Sequence, residues 1–328
     1  MVEVPERNLG LELVRVTETA ALAAARWQGR GDKEAADQAA VDGMRLILSH
    51  IDIDGTIVIG EGEKDEAPML HNGEKVGTGR GLAVDVAVDP VDGTTLTSEG
   101  MPGAVSVIAI AEQGSMYAPG SLVYMDKIAV GPAAAGTIDL EAPVEYNLKQ
   151  VSKALDRDVA ELTAIILNRP RNAPYIDAVR KAGARIRLIR DGDVAGAIAT
   201  AQEESGIDIL FGIGGSPEAV IAAAALTCMG GEQQCKLWPR DDTERAYAVD
   251  AGLSLEHVIT MRELVNSDNV FFAATGITDG ELLDGVKYKH HHATTHSVVM
   301  RSKTGSIRSM NATHDFSKLR KLSALIYE

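Results

Sequence analysis

The chain has 328 residues, of which 45% are hydrophobic, and a formal net charge of −15 at pH 7. This length suits one large domain or two closely packed domains with a substantial core. The negative charge argues against nucleic acid as a partner, because a grip on phosphates needs a basic face, and a small phosphorylated ligand would need a nearby cation or a few arginines.

No segment predicts export or membrane insertion. The opening MVEVPERNLGLELVRV carries charges every few residues, and no later stretch approaches the roughly 18 apolar residues of a membrane span. Cys228 and Cys235 are too few for a disulfide framework and lack the CxxC spacing of zinc or redox sites. We therefore expect a reduced, cytoplasmic protein with no membrane partner.

Two amphipathic helices are predicted at the start of the chain. Apolar residues recur at helical spacing from Glu6 to Trp27 and again from Asp32 to His50. Four β-rich runs follow, at 55–63, 83–89, 106–114 and 121–131. The first part of the chain is therefore predicted to be helices followed by a mostly antiparallel sheet.

After about residue 158 the pattern changes to short strands alternating with helices. TAIILNR, RIRLIRD and IDILFGIGG have strand character, and PYIDAVRKAG, VAGAIATAQ and PEAVIAAAALTCMGG have helical character. The intervening segment is helical and contains no flexible linker. We therefore expect an α/β protein with two halves, residues 1–158 and 159–328, packed tightly against each other.

The stretch VDVAVDPVDGTT, residues 84–95, concentrates carboxylates. A strand period of two places Asp85 and Asp89 on one face, and Pro90 should end the ladder because it has no N–H to donate. Asp92 follows in the turn. Like charges this close repel each other, so something positive is expected among the three aspartates.

The end of the same stretch suits a phosphate. Gly93 allows close approach of a ligand to the backbone, and a helix that starts at Thr94 and Thr95 would present N–H groups and hydroxyls. Together with the carboxylates, these groups predict a site for hard divalent cations and a phosphoryl group. An Asp-rich β-turn is the structural alternative.

Three further clusters carry charged residues. Lys33 and Asp37 lie four apart on the second helix, where a surface ion pair is the alternative. VIGEGEKDEAPML, residues 58–70, presents Glu61 and Asp65 in a charged loop after a strand. In GIGGSPEAV, residues 212–220, Ser216 suits a helix N-cap and Glu218 lies in the first turn, so helix capping is the alternative there.

Arginines and aspartates follow two predicted strands of the second half. NRPRN, residues 168–172, and RDGDV, residues 190–194, stand where ligands gather in open α/β sheets. Arginines there can bind a phosphate, and aspartates can accept hydrogen bonds from sugar hydroxyls.

The histidine run at 290–292, with His296, has no acidic neighbour in sequence and is interpreted as a turn before a strand rather than a metal site.

These motifs occur in one order: GDKEAAD, IGEGEKDEAPML, VDPVDGTT, YMDKIAVGP, NRPRN, RDGDVAGAI, GIGGSPEAV, ATGITDGELL and TTHSVVMRSKTGSIR. From about residue 6 to the end, the chain resembles class II fructose-1,6-bisphosphatases, within the lithium-sensitive, metal-dependent sugar phosphatases. The resemblance implies a sugar phosphatase fold with α-β-α-β-α layers. It also implies a Mg²⁺ or Mn²⁺ cofactor, a homo-oligomer, and hydrolysis of the 1-phosphate of fructose 1,6-bisphosphate to fructose 6-phosphate in gluconeogenesis.

The resemblance also implies roles for individual residues. It assigns metal binding to Asp37, Glu61, Asp89, Asp92 and Glu218. It assigns substrate contacts to Asp92, Gly93, Thr94, Tyr124, Arg169, Pro170, Arg171, Asp191, Gly192, Asp193 and Gly215. It marks Lys33, Asp65 and Thr94 as catalytic. Many relatives have Asp-Arg-Pro-Arg-His where this chain has Asn168 to Asn172, although both arginines are present.

The mechanism expected from these roles is a metal-assisted in-line displacement in which Thr94 helps to position or deprotonate the attacking water. Sedoheptulose 1,7-bisphosphate, an inositol monophosphate or a nucleotide 3′-phosphate would suit the same chemistry, and the two arginines favour a bisphosphorylated sugar. A non-hydrolytic sugar-phosphate sensor and a dinucleotide-binding dehydrogenase are the alternatives of a different class. The glycines at 212–215 lack the GxGxxG spacing of the latter.

Overall fold

The computed structural model describes residues 8–62 and 69–319. Within these ranges the α-helices are α1 Gly10–Ala24, α2 Lys33–Leu48, α3 Thr94–Glu99, α4 Val144–Leu155, α5 Ala173–Ala182, α6 Asp193–Ala199, α7 Ser216–Met229, α8 Asp242–Asp250, α9 Met261–Leu264 and α10 Phe316–Leu319. The strands are β1 Ile53–Ile59, β2 Lys75–Val76, β3 Leu82–Asp92, β4 Val105–Glu112, β5 Tyr124–Val130, β6 Thr163–Leu167, β7 Arg185–Ile189, β8 Ile209–Gly215, β9 Glu232–Leu237, β10 Phe271–Gly276, β11 Lys287–Lys289, β12 His292–Arg301 and β13 Ser306–Asp315. Short 3₁₀ turns join several of them.

The strands form two mixed sheets. The eight-stranded sheet has the order β11-β12-β10-β4-β3-β1-β2, with β13 paired to β12, and the five-stranded sheet has the order β7-β6-β8-β5-β9. In the large sheet, β1 is parallel to β3, whereas the pairs on either side of β4 are antiparallel. The carboxyl ends of β1 and β3 therefore lie at the same edge of the sheet.

Helices and sheets alternate in five layers. One apolar core joins α1 and α2 to the outer face of the large sheet. The inner face of that sheet packs on α7, which also contacts the small sheet, and α6 lies beside α7 in the same middle layer. Helices α4 and α5 cover the far face of the small sheet. The predicted α/β fold with α-β-α-β-α layers is confirmed.

Helix α7 suits this central position because it is apolar on every side. Its sequence SPEAVIAAAALTCM is rich in alanine, and most of its residues are buried. Small side chains allow both sheets to approach the helix closely, and a helix that is hydrophobic all round belongs in a core. The fold thereby brings the first turn of α7 to the edge where β1 and β3 end.

The strands do not segregate at residue 158. Strand β5 belongs to the small sheet, where it pairs with β8 and β9. The chain returns to the large sheet with β10, which inserts between β4 and β12. The pairings of β5 with β8 and of β10 with β4 join strands that lie far apart in the sequence, so the local periodicity of the residues could not predict them.

Pro90 does not end its strand. The pairing of β3 with β4 shifts between Asp89 and Asp92, so the proline occupies an irregularity in the ladder, and pairing resumes at Asp92. The extra residue suits a proline because a residue in a bulge is left out of the ladder hydrogen bonds. This bulge keeps Asp92 within the sheet while it redirects the chain toward α3.

The first two predicted helices are present, with shorter bounds. Helix α2 begins after Asp32, whose side chain accepts a hydrogen bond from the N–H of Ala35. Within the described ranges, none of the helices has the length and apolarity to cross a bilayer.

Candidate active site

A cleft of about 300 Å³ opens at the edge where β1 and β3 end. Its lining is mainly polar and comes from both halves of the chain. The lining residues are Asp37, Gly60, Glu61, Val88, Asp89, Val91, Asp92, Gly93, Thr94, Asp191, Pro217 and Glu218. The structure thus brings together in one cleft all five carboxylates that the resemblance assigns to metal binding.

Four different elements supply these carboxylates. Asp37 comes from α2, Glu61 follows β1, Asp89 and Asp92 end β3, and Glu218 lies in the first turn of α7. Gly60 permits the turn that presents Glu61, because a Cβ at that position would lie 2.0 Å from the carbonyl oxygen of Leu70. Convergence of carboxylates from distant elements distinguishes the cleft from a charged loop.

Asp37 and Glu61 form the outer pair of the cluster. Burial raises the pKa of Asp37, an effect opposed in part by its hydrogen bond to Glu61. Burial, followed by the negative charge of Asp37, raises the pKa of Glu61 to about 8. Two carboxyl groups that share a hydrogen bond cannot both be ionised without a large cost unless a cation lies between them.

The inner carboxylates show the same effect. Burial and then the charge of Asp92 raise the pKa of Asp89 well above its ordinary value. Burial, followed by the negative charge of Asp193, raises the pKa of Asp92 well above its ordinary value. The same two causes raise the pKa of Glu218 to about 7. The protein therefore concentrates negative charge that its own side chains do not neutralise.

Two buried oxygens identify where positive charge is missing. Oδ2 of Asp92 and Oε2 of Glu218 are buried and have no hydrogen-bond partner. Buried carboxylate oxygens normally pair with donors or coordinate a metal. Hard divalent cations prefer such oxygen ligands, so the donor set fits Mg²⁺ or Mn²⁺. In residues 8–62 and 69–319, no three acidic, histidine or cysteine side chains already form a compact ligand shell.

Asp85 does not belong to this cluster. Its Oδ2 accepts hydrogen bonds from the backbone N–H groups of Ser115 and Met116, at 2.8 and 3.0 Å. The interpretation that three aspartates of the stretch surround a cation is therefore wrong for Asp85, which braces the turn after β4. Asp89 and Asp92 alone of the three line the cleft.

The predicted turn after Asp92 is present. Gly93 has φ of 102°, and a Cβ there would lie 3.0 Å from the Leu96 side chain and 3.3 Å from Ala104. Helix α3 then begins at Thr94, which lines the cleft. The glycine is required both by the left-handed backbone and by the close packing.

Lys33 joins the cleft through Thr95. Its ammonium donates a hydrogen bond to Oγ1 of Thr95 at 2.9 Å. Thr95 is the second residue of α3, and Asp191 lines the opposite wall of the cleft. The alternative of a simple Lys33–Asp37 surface pair is not what the structure shows.

The segment at 169–171 lies beside that wall. Arg169 forms a long ion pair of 3.9 Å with Asp191. Pro170 begins a 3₁₀ turn that carries Arg171. The Arg171 guanidinium stacks on the Tyr124 ring at 4.1 Å, and its Nε donates to the carbonyl oxygen of Ile213. These residues therefore form one contiguous cationic and aromatic surface.

Asp193 and Gly215 lie deeper than the sequence motifs suggested. Asp193 is buried, and its Oδ2 accepts a hydrogen bond from the Lys127 ammonium at 2.5 Å. Gly192, with φ of 83°, links it to Asp191. Gly215 stands directly before α7, and a Cβ there would lie 1.8 Å from Oε2 of Glu218. Neither Asp193 nor Gly215 lines the cleft surface.

Some residues fall outside these comparisons between sequence and structure. Asp65 lies outside the described residues, as do Glu63, Lys64 and Glu66.

Sequence reasoning missed Lys127 and Gly60. A lysine within the predominantly apolar strand YMDKIAV, next to Asp126, was the signal for the first, and GEG after a strand was the signal for the second. His290 and His291 form the tight turn between β11 and β12, which confirms the turn there, but His292 and His296 already lie in β12.

The chain is similar to known proteins over most of its length. The family described as "Bacterial fructose-1,6-bisphosphatase, glpX-encoded" matches residues 7–314. The Escherichia coli (strain K12) protein named "Fructose-1,6-bisphosphatase 1 class 2" is 46% identical over 322 residues, which cover 94% of this chain and 95% of that protein. A Shigella flexneri "Fructose-1,6-bisphosphatase class 2" shows the same identity and coverage. Among solved structures, the extragenic suppressor protein suhB from Bartonella henselae matches with a TM-score of 0.33 and 16% identity, over 60% of this chain and 74% of that chain.

Proposed function

Because the chain belongs to the family of bacterial class 2 fructose-1,6-bisphosphatases, we propose that its carboxylate cleft hydrolyses the 1-phosphate of fructose 1,6-bisphosphate. The products are fructose 6-phosphate and inorganic phosphate. The observation that carries the proposal is the convergence of five carboxylates on one cleft, two of them with a buried oxygen that has no partner. A phosphoryl group, itself anionic, can enter such a cleft only together with cations.

The family implies a divalent metal cofactor, and we propose Mg²⁺ or Mn²⁺. Asp37, Glu61, Asp89, Asp92 and Glu218 would hold it. When bound, the metal supplies positive charge that stabilises the transferring phosphoryl group and the leaving sugar oxygen and acidifies the attacking water. Burial, followed by the charges of neighbouring carboxylates, raises the pKa values of Glu61 and Glu218, and a bound cation would offset both effects.

We propose that Thr94 orients the attacking water. Its hydroxyl belongs to the cleft, at the start of α3, directly after the turn at Gly93. A hydroxyl hydrogen-bonded to a neighbouring carboxylate can hold water in line with the scissile bond and receive its proton in a relay. Lys33 holds α3 in place through Thr95, and we propose that Asp65 also assists the reaction.

The distal phosphate would bind the arginine segment. Arg169 is 39% exposed and Arg171 is fixed by its stack on Tyr124, so both guanidinium groups can face an incoming ligand. Guanidinium groups bind phosphate through two parallel hydrogen bonds. Asp191 would accept a hydrogen bond from a sugar hydroxyl, with Gly192 and Asp193 shaping the same segment. Binding energy at the far phosphate then orients the near one.

The wider context follows from the family. We propose a role in gluconeogenesis, inhibition by lithium, a homo-oligomeric assembly and a cytoplasmic location. A lithium ion would compete for the same carboxylates, which the convergence of negative charge in the cleft favours.

A substrate panel tests the proposal. With Mn²⁺ present, kcat/KM should be highest for fructose 1,6-bisphosphate, followed by sedoheptulose 1,7-bisphosphate, and much lower for an inositol monophosphate or a nucleotide 3′-phosphate. A monophosphate lacks the group that the two arginines would bind. Equal rates for mono- and bisphosphates would overturn the assignment of Arg169 and Arg171 to the distal phosphate.

A further inference from the structure

Lys127 is a buried lysine in the middle of the small sheet. Its side chain is 4% exposed, and β5 places it opposite Gly212 of β8 and Cys235 of β9. Burial of an ammonium group is costly unless it is paired and hydrogen-bonded. An apolar side chain would serve packing alone at lower cost, so this lysine requires another explanation.

The ammonium of Lys127 makes two hydrogen bonds. It donates to Oδ2 of Asp193 at 2.5 Å and to the carbonyl oxygen of Gly215 at 3.0 Å. Asp193 is the first residue of α6, and Gly215 immediately precedes α7. One side chain therefore connects the starts of two helices that arrive from different parts of the chain.

Both connected segments continue into walls of the cleft. Asp191 stands two residues before Asp193, and Glu218 stands three residues after Gly215; both line the cleft. Because each bond attaches to the backbone or to the first helical residue, loss of Lys127 would release both walls together.

The ion pair packs directly against the backbone of Gly214. A Cβ on Gly214 would lie 2.1 Å from Oδ2 of Asp193 and 2.8 Å from Nζ of Lys127. The glycine is thus required by the ion pair rather than by its own backbone, which does not have positive φ.

We propose that Lys127 is a positioning residue, whose ammonium fixes the separation between the Asp191 segment and Glu218. It acts through Asp193 and Gly215 rather than by touching the substrate. The proposal rests on the proposed function, because it treats Glu218 as a ligand of the cation. Groups that support metal ligands in this way typically change metal affinity by about 10–100-fold when they are removed.

The deciding variant combines Lys127→Met with Asp193→Asn. One positive and one negative charge are removed together, so the net charge near the carboxylates is unchanged and any change in Mn²⁺ affinity reports geometry. Mn²⁺ binding is measured from the electron paramagnetic resonance signal of free Mn²⁺, and folding from circular dichroism. We expect a folded protein whose Kd for Mn²⁺ is about 10-fold higher than that of the wild type.

A matched control neutralises an ion pair on the neighbouring strand. Lys236 of β9 bonds Glu256 at 2.9 Å on the surface, so Lys236→Met with Glu256→Gln should bind Mn²⁺ like the wild type. Wild-type Mn²⁺ affinity in the folded Lys127/Asp193 variant would overturn the proposal, since Lys127 would then only balance a buried charge.

Gly214→Ala keeps the test decisive if the double variant does not fold. The added methyl group displaces the ion pair without removing either charge, and it should also weaken Mn²⁺ binding about 10-fold. Unchanged Mn²⁺ affinity in a folded Gly214→Ala protein would equally overturn the role of Lys127. Phosphate release from fructose 1,6-bisphosphate by the wild type is measured in parallel. Its absence would contradict the proposed function, whereas the Mn²⁺ affinities of the variants would still test the positioning role of Lys127.

Discussion

The carboxyl groups of Asp37 and Glu61 share a hydrogen bond, although one comes from α2 and the other from the loop after β1. Such a bond requires a proton, so the cluster without a cation retains protons at pH values where carboxyl groups are normally ionised. The cation and these protons therefore compete for the same oxygens.

This competition predicts a pH-dependent stability. Because Glu61 has a folded-state pKa of about 8 against an ordinary value of 4.5, the metal-free folded protein binds its proton more tightly than the unfolded chain does. This contribution to stability is complete below pH 4.5 and is lost as the pH rises through 8. We expect the free energy of unfolding without metal to fall, on the order of a few kcal/mol, between these values.

Chemical denaturation at several pH values, with chelator and with saturating Mn²⁺, measures this effect. Bound Mn²⁺ should remove most of the decline, since the cation replaces the protons. A metal-free protein whose stability rises steadily between pH 5 and 8 would contradict the shared proton.

Asp89→Asn should abolish hydrolysis and leave the protein folded. The substitution removes one anionic ligand but also relieves repulsion from Asp92, so the metal-free stability should not fall. Phosphate release and thermal unfolding are the measurements. Retention of more than about 5% of the wild-type rate would count against direct ligation by Asp89.

Asp85→Asn is the matched control, because Asp85 lies on the same strand and face but bonds backbone N–H groups of Ser115 and Met116. Replacement of a charged acceptor by a neutral one should cost about 1 kcal/mol of stability. Activity should remain within about threefold of the wild type. Asp85→Asn should therefore lower stability and keep activity, whereas Asp89→Asn should lose activity and keep stability.

Gly215→Ala should impair the cleft with little effect on the backbone. The glycine has φ of −63°, which alanine accepts, but the new Cβ would lie 1.8 Å from Oε2 of Glu218. Displacement of Glu218 should lower kcat/KM at least about 10-fold, in line with loss of a metal ligand's support. Kinetics at several Mn²⁺ concentrations measure it.

Gly196→Ala provides the comparison, since its Cβ would meet only the side-chain ends of Ile165 and Ile189, at 3.3 Å, and of Leu210, at 3.6 Å. Gly196 lies inside α6, where alanine has the better helix propensity. It should therefore retain wild-type kinetics. An equally active Gly215→Ala protein would remove Glu218 from the proposed ligands.

Arg169→Ala should raise KM for fructose 1,6-bisphosphate about 10-fold or more, because the distal phosphate loses a charged donor worth roughly 1.5–3 kcal/mol. Hydrolysis of p-nitrophenyl phosphate, which has no second phosphate, should be nearly unaffected. Arg245→Ala, on the exposed surface of α8, serves as the control for loss of positive charge. Equal losses on both substrates would place Arg169 at the reacting phosphate instead.

Local sequence predicted the elements well but not all of their partners. The strand through Asp89, the turn at Gly93 and the helix at Thr94 follow from alternation and turn chemistry, and the structure has them, although the strand continues past Pro90 to Asp92. The bulge at Pro90 was not predictable, since it depends on which strand pairs with β3.

Long-range relationships explain the remaining differences. Asp85 and Asp89 are equivalent in a period of two, so the sequence pattern cannot distinguish their roles. Asp85 is structural because the turn at Ser115 lies beside it, whereas Asp89 lines the cleft. Lys127 was visible in the sequence as a charge next to Asp126 in a predominantly apolar strand, but its partners Asp193 and Gly215 lie 66 and 88 residues away. The return of β10 to the large sheet is equally nonlocal.

Phosphate release from fructose 1,6-bisphosphate by the wild-type protein, with Mn²⁺, Mg²⁺, chelator or added Li⁺, tests the central claim most directly. Inorganic phosphate and fructose 6-phosphate are measured together, so that both the reaction and the phosphate removed are identified. We predict equimolar products with a divalent cation, none with chelator, and less with lithium. Release that persists in chelator, or no release from a folded protein with either metal, would contradict metal-dependent hydrolysis in the carboxylate cleft.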